Sequence, residues 1–380
     1  MKIIPYGKQH INKIDIDSVS KTLKHEKITT GRIVDLFENK LQKYLGCKYS
    51  VSCNSGTSAL FMAFQAIDLK KNDIVIMPSI NFVSSYNIVK MFGAKVFLSD
   101  VDEFTGQMTP ENIVDCFKRF KLKKVKAILL MFNGGYPQNA EKFKKFKKKF
   151  TSYIIEDACH AFGATYKFKG KFYKIGSCKH SDISTFSFHP LKTITTGEGG
   201  LVTTNNKNIS DKLKIIRSIG IKRSKNHWDY NVIFKSLNFR LTDFQCALGI
   251  SQLNKVKKFI NKRKEIFNFY NKSFSKLDFL EIPKFDNDYK SSYHLYILFI
   301  KNFTLKKKEK FIKYMKKKGI ILQYHYIPVN KFKIFMNEDK YISNKTPRYQ
   351  NCAISLPIYY DLKKKNQVYI VNCIKKYFKR

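Results

Sequence analysis

Apolar and polar positions alternate along this chain in two styles. Residues 15–24 and 34–45 repeat apolar side chains at helical spacing, and Ile28-Thr29-Thr30-Gly31 between them reads as a loop. From there strand patterns and helix patterns take turns. Residues 73–78, 94–99, 127–132 and 152–155 are short, β-branched-rich runs. Between the last two, Lys142-Phe143-Lys144-Lys145-Phe146-Lys147-Lys148-Lys149-Phe150 spaces its phenylalanines by three and four, which predicts a helix with a lysine-coated outer face. Strands alternating with helices predict an α/β fold with a mostly parallel sheet and helices on both faces. A long helix is expected from 242 past 253 toward 272, broken once. After it the style changes: strand at 293–300, helix at 306–318, strand at 320–326, closing helix at 363–378. These predict a large domain with an N-terminal arm over 1–250 and a smaller α/β domain over 251–380.

In open parallel sheets, ligands gather at the carboxyl ends of the strands. The chain places reactive side chains there. The run Ser184-Thr185-Phe186-Ser187-Phe188-His189-Pro190-Leu191-Lys192 is an apolar strand passing into a polar turn, closed by Thr195-Thr196-Gly197-Glu198-Gly199-Gly200. A lysine desolvated in such a turn can act as a neutral amine and form a Schiff base. By spacing alone, Lys192 is equally one surface lysine among many. Asp157, in Ile154-Ile155-Glu156-Asp157-Ala158-Cys159-His160-Ala161, follows a buried-looking strand; it reads as a ligand-holding carboxylate or as a helix N-cap. Ser52-Cys53-Asn54-Ser55-Gly56-Thr57-Ser58-Ala59-Leu60 brings small polar residues to a helix start, where backbone N–H groups bind phosphate or the box serves only as a cap. Phe82, in Pro78-Ser79-Ile80-Asn81-Phe82-Val83, suits stacking on a planar ring and suits the core equally.

Composition narrows the class. Of the 380 residues 43% are hydrophobic, enough for a sizeable core, and the formal net charge is +43. That charge raises the alternative of a polyanion or nucleic-acid binder. The lysines are dispersed among Phe, Tyr, Ile and Asn, which fits compositional drift, and no nucleic-acid partner is expected. No apolar run approaches the roughly 20 residues of a membrane span, so no membrane partner is expected and the reading is a cytoplasmic protein. The eight cysteines form no CxxC pair. They read as reduced, packed thiols, with no metal.

Taken together, these runs resemble the DegT/DnrJ/EryC1/StrS sugar aminotransferases, enzymes of pyridoxal phosphate (PLP) fold type I. The likeness extends from Tyr6 and residues 28–31 through 54–60, Glu156-Asp157, Ser187-Phe188-His189-Pro190-Leu191-Lys192, 195–200 and Leu237-Asn238-Phe239-Arg240-Leu241-Thr242-Asp243 to Tyr324-His325-Tyr326-Ile327-Pro328. Residues 176–183 and 247–253 are similar to a pseudaminic-acid-pathway subgroup of that family. The resemblance implies a three-layer αβα, aspartate-aminotransferase-like large domain and pyridoxal 5'-phosphate as cofactor. It implies a nucleotide-linked 4-keto sugar as substrate, L-glutamate as amine donor, and a homodimer with shared active sites.

Residue by residue, Lys192 carries the cofactor as a Schiff base and shuttles the proton, and Asp157 pairs with the pyridine nitrogen. His160 sits near the phenolic oxygen, and Phe82 stacks on the ring. Gly56, Thr57 and Ser187 hold the phosphate, with Asn238 reaching it from the other subunit. Tyr6, Glu26, Lys27, Ile28, Thr29, Gln323, Tyr324, His325 and Tyr326 line the sugar-nucleotide site, beside Gly56, Ser187 and Asn238. Some relatives replace the lysine with histidine and dehydrate sugars; Lys192 argues against that chemistry here. One departure stands out: relatives often carry His where this chain has Phe132-Asn133-Gly134-Gly135.

Overall fold

The computed structural model describes residues 3–224, 226, 228–335 and 340–379. Among them, the main sheet has seven strands, ordered Tyr49–Cys53, Gly200–Thr204, Ile183–Ser187, Thr151–Asp157, Val125–Met131, Ile74–Pro78 and Lys95–Ser99. The last five pair in parallel. Gly200–Thr204 runs antiparallel to both its neighbours, so Tyr49–Cys53 points the same way as the parallel five. The central strands are apolar on both faces; Val75, Ile76, Met77, Ile128 and Leu129 have no exposed surface. Helices cover both faces and divide the large core in two, as expected of a parallel sheet.

The helix Gly56–Ala66 begins where Ser55 Oγ accepts from the Ser58 N–H at 3.0 Å. The helix Lys13–Leu23 begins on a reciprocal box between Asn12 and Asp15. The long helix is broken once, into Asp243–Leu253 and Val256–Phe274. A three-stranded antiparallel sheet, Leu280–Glu281, Tyr296–Ile300 and Ala353–Leu356, packs with Leu305–Lys317 and Lys364–Phe378 around its own core, which includes Tyr270, Phe274, Tyr296 and Phe311.

Three expectations need correction. The phenylalanine-striped segment is not an α-helix but a short 3-10 turn, Lys142–Phe146. Phe143 and Phe146, three apart, still reach the core on that tighter repeat. Lys147 then turns extended, and Lys148 adopts φ 69° before the next strand begins at Thr151. The segment 320–326 is not a strand; isolated bridges tie Ile320 to Ile4 and Gln323 to Ser355, and Gln323 to Tyr326 line a cleft. The strand expected from 293 begins at Tyr296, because Tyr293 takes a left-handed φ of 54°. Among the described residues, no helix is long and apolar enough to cross a membrane.

Candidate active site

Because the strands point one way, their carboxyl ends open on one side of the sheet. Cys53, Pro78, Met131, Asp157 and Ser187 end those strands. The residues that follow them surround a cleft of about 540 Å³, a size suited to a small organic ligand. Tyr6, Gly56, Thr57, Phe82, Asp157, His160, Ser187, Lys192 and Gln323 to Tyr326 all line it. Glu26, Lys27, Ile28, Thr29 and Asn238 do not. They are exposed, in a neighbouring patch where the Asp243 N–H donates to the Ile28 carbonyl at 2.9 Å. In the same region the Asn54 amide donates to the Asn238 carbonyl at 3.2 Å.

Lys192 and Asp157 face each other electrostatically across the cleft floor. Burial pushes the Lys192 ammonium below its ordinary range, against the pull of Cys159 and Asp157. Burial pushes the Asp157 carboxyl up, while hydrogen bonding from Cys159 and the charge of Lys192 draw it back. A lysine biased toward its neutral form is a nucleophile, and a buried carboxylate seeks a cationic partner. Four histidines, His160, His189, His294 and His325, line the site, and burial pushes all four below their ordinary range. His160 and His294 are held well below the ordinary range, first by burial and then by Lys192. Burial and Lys192 bring His325 down to about 3.

The residues fit a phosphorylated aromatic cofactor. The leading N–H groups of a helix have no intrahelical partner, and Gly56 and Thr57 supply two of them at the cleft. A Cβ at position 56 would lie 2.8 Å from Ser187 Cβ, so only glycine lets this turn approach the Ser187 strand. Phe82 is 51% exposed, its ring 5.7 Å from that of Tyr326, an aromatic face turned to the cleft. Asn81, 1% exposed and cleft-lining, has neither amide atom hydrogen-bonded. A buried amide left this way points to a missing partner.

Reading the sequence missed Asn81, Cys159 and His294. Asn81 was findable: it is a polar residue just past a strand end, beside Phe82. Cys159 reads as a packed thiol, although it lines the floor and hydrogen-bonds to Asp157. His294 precedes the strand of a different sheet, and nothing local marks it. Among the described residues, no cluster of His, Cys, Asp and Glu could hold a metal ion.

Comparison with known proteins agrees with this geometry. The sequence profile of the DegT/DnrJ/EryC1/StrS aminotransferase family matches residues 9–375. A UDP-4-amino-4,6-dideoxy-N-acetyl-beta-L-altrosamine transaminase of Campylobacter jejuni subsp. jejuni serotype O:23/36 (strain 81-176) is 39% identical over 340 residues, covering 88% of this chain and 86% of that protein. The GDP-perosamine synthase of Escherichia coli O157:H7 is 30% identical over 382 residues, 100% of this chain and 99% of its own. Among solved structures, Helicobacter pylori PseC, an aminotransferase involved in the biosynthesis of pseudoaminic acid, matches with a TM-score of 0.90 at 28% identity over 100% of both chains.

Proposed function

The chain belongs to the DegT/DnrJ/EryC1/StrS aminotransferase family, and from that membership we propose that it moves an amino group from L-glutamate to C4 of a UDP-linked 4-keto sugar. The substrate we assign is UDP-2-acetamido-2,6-dideoxy-β-L-arabino-hex-4-ulose, and the product UDP-4-amino-4,6-dideoxy-N-acetyl-β-L-altrosamine. The observation that carries this reading is the pairing of a buried Lys192, its ammonium pushed below its ordinary range, with a buried Asp157 on one cleft floor, beside a glycine-opened helix start. The 39% identity to an altrosamine transaminase supports the choice of sugar.

Pyridoxal phosphate, when bound, supplies an aldehyde that exchanges amino groups and a ring that accepts electrons. Lys192 would hold it through Nζ. Asp157 would keep a proton on the ring nitrogen, gaining there the cationic partner its burial calls for. The helix start at Gly56 and Thr57, with Ser187 Oγ, would hold the phosphate, and Phe82 would cover the ring. Displaced from the cofactor by the donor's amino group, the freed Lys192 Nζ would take the proton from the amino-bearing carbon of the donor, and later return one at C4 of the sugar. Tyr6 and Gln323 to Tyr326, which line the cleft, contact the nucleotide-sugar, and the reaction belongs to the cytoplasm.

The exposed position of Asn238 and of residues 26–29 fits a homodimer in which each copy completes the other's site. The hairpin Ile221–Arg223 and Tyr230–Val232 and the stretch after it expose Val232, Ile233 and Leu237, the last at 60%. Exposed apolar side chains of this kind suit a second copy. A perosamine-type substrate is the second reading, supported by the end-to-end alignment with a GDP-perosamine synthase.

The test is incubation of the holoenzyme with glutamate and a panel of UDP-, GDP- and dTDP-linked 4-keto sugars, with products identified by NMR. Amination of the UDP-linked arabino-hexulose is expected. Turnover of the GDP sugar alone would replace this reading with the second, and turnover of none would remove both.

A further inference from the structure

The helix Leu305–Lys317 buries Lys308, Phe311 and Met315, three and four residues apart. A lysine thus takes the first place on the apolar stripe of a helix otherwise coated with lysines. Lys308 is 3% exposed, and among the described residues it is the one lysine buried to this degree. A lysine is almost never enclosed without a partner. Burial brings its ammonium from 10.5 down to about 7 against the pull of Cys352, and no carboxylate among the described residues pairs with it.

Two uncharged groups receive this ammonium instead. Lys308 Nζ donates to the Gln350 carbonyl at 2.6 Å. Gln350 stands in the last turn of the helix Thr346–Cys352, where carbonyls have no partner inside the helix and the helix end is negative. Lys308 Nζ also lies 4.3 Å from the centre of the Tyr324 ring, within reach of a cation–π contact that desolvation strengthens. Tyr324 lines the cleft. Its neighbours in the chain are tied down by hydrogen bonds. Gln323 pairs with Ser355 through both backbone groups, at 3.2 and 2.9 Å. The His325 carbonyl accepts from the hydroxyl of Tyr349, in the same helix as Gln350, at 2.7 Å. Among the described residues the Tyr324 hydroxyl has no hydrogen-bond partner, and the ammonium is the polar contact of its ring.

We propose that Lys308 is a positioning residue for the nucleotide sugar: its ammonium, bonded to the end of the helix Thr346–Cys352, holds the Tyr324 ring where it meets the substrate. This rests on the reading that Tyr324 contacts a nucleotide-linked 4-keto sugar. Lys308 is enclosed and is not among the residues lining the cleft, so it acts through Tyr324 and touches no substrate itself. A ring already fixed does not have to be ordered when the sugar binds. The effect therefore falls on affinity for the sugar. The chemical step belongs to Lys192 and Asp157 on the cleft floor, which Lys308 does not contact, and the amino-acid donor does not require Tyr324.

The experiment is steady-state kinetics of the holoenzyme with glutamate and the 4-keto sugar it turns over. Lys308→Met keeps the stem and removes the charge. It is expected to raise KM for the sugar by on the order of tenfold, the size of a desolvated cation–π contact, with kcat and KM for glutamate nearly kept. The double variant Lys308→Met/Tyr324→Leu should match Tyr324→Leu alone, because one change acts through the other. Phenylalanines carrying increasing numbers of ring fluorines, placed at position 324, weaken the negative face of the ring in steps while nearly keeping its shape. KM for the sugar should climb along that series with Lys308 present and stay level in Lys308→Met. Thermal unfolding checks that each variant is folded. A level series with Lys308 present overturns the proposal even if Lys308→Met fails to fold. So does a Lys308→Met effect that multiplies in full with that of Tyr324→Leu, or one that falls equally on glutamate. Wild-type protein that turns over no nucleotide-linked 4-keto sugar overturns the parent reading and this one with it.

Discussion

The floor of the cleft takes its side chains from the ends of co-directional strands in one sheet, whereas the rim takes them from an N-terminal arm, the stretch 323–326 and loops lying elsewhere on the surface. On the floor, Asp157 pairs with Thr185, two residues before Ser187 on the neighbouring strand, so the spacing of Asp157 and Ser187 is set by backbone hydrogen bonds. On the rim, Tyr6 is held by the Ile358 N–H donating to its carbonyl at 3.2 Å, and its ring lies 5.7 Å from that of His325. On the floor, Asp157, Ser187 and Lys192 come from one chain; the proposed function adds Asn238 and residues 26–29 from a second copy. Chemistry common to many substrates can sit on a rigid sheet, while substrate choice is left to parts that vary without disturbing it.

The largest expected effect breaks the floor itself. Lys192→Ala should abolish turnover and the visible absorbance of the lysine-linked cofactor, read by spectrophotometry; surviving turnover would remove Lys192 from its role. Asp157→Asn should follow, lowering kcat by on the order of a hundredfold or more, since an amide cannot keep the ring nitrogen protonated. A rim change such as Tyr324→Ala should instead raise KM for the sugar with kcat nearly kept, as loss of uniform binding does. A rim variant that lowered kcat as far as Asp157→Asn would erase the distinction.

The same contrast explains what the sequence discloses. Strand-end chemistry is legible because two rules coincide there: apolar runs mark the strands, and the residue after each run is placed at the site. Lys192, Asp157, Gly56 and Phe82 were all found that way. The turn at Phe132 to Gly135 was noticed only as a departure. Its shape is set by two left-handed glycines, Gly134 and Gly135, and not by any periodicity. The phenylalanine stripe misled for a related reason. A spacing of three and four fits an α-helix, but three alone fits a 3-10 turn, and the extended Lys147 ended the segment early. Segment 320–326 is apolar enough for a strand, yet it is spent lining the cleft.

The floor also carries a stability signature of its own. Glu156, beside Asp157 on the same strand, is 3% exposed, and burial pushes its carboxyl from 4.5 up to about 7, with Ser184 as its hydrogen-bond partner opposing the shift. A raised native pKa means the folded chain binds more protons between those values. The stability it contributes is present below about 4.5 and is lost as pH rises through about 7, by about 3 kcal/mol in all. Glu156→Gln should flatten that part of the profile, measured by denaturant unfolding of both proteins from pH 4.5 to 8. Identical slopes would show that Glu156 ionises freely in the folded state.

The smallest effect tests whether the rim is shared between copies. If Asn238 serves the partner's phosphate site, Asn238→Asp places a carboxylate against that phosphate and should disable it. Mixed with Lys192→Ala protein, it can form heterodimers. In each heterodimer one site combines both defects, and the other has an intact lysine from one copy and an intact asparagine from its partner. Random pairing makes half the dimers mixed, with half their sites whole, so about a quarter of wild-type activity should return after two weakly active proteins are unfolded and refolded together. A site built from one chain alone predicts only the sum of the two. Return of activity would tie Asn238, exposed and outside the cleft of its own copy, to a floor whose other parts a single sheet already provides.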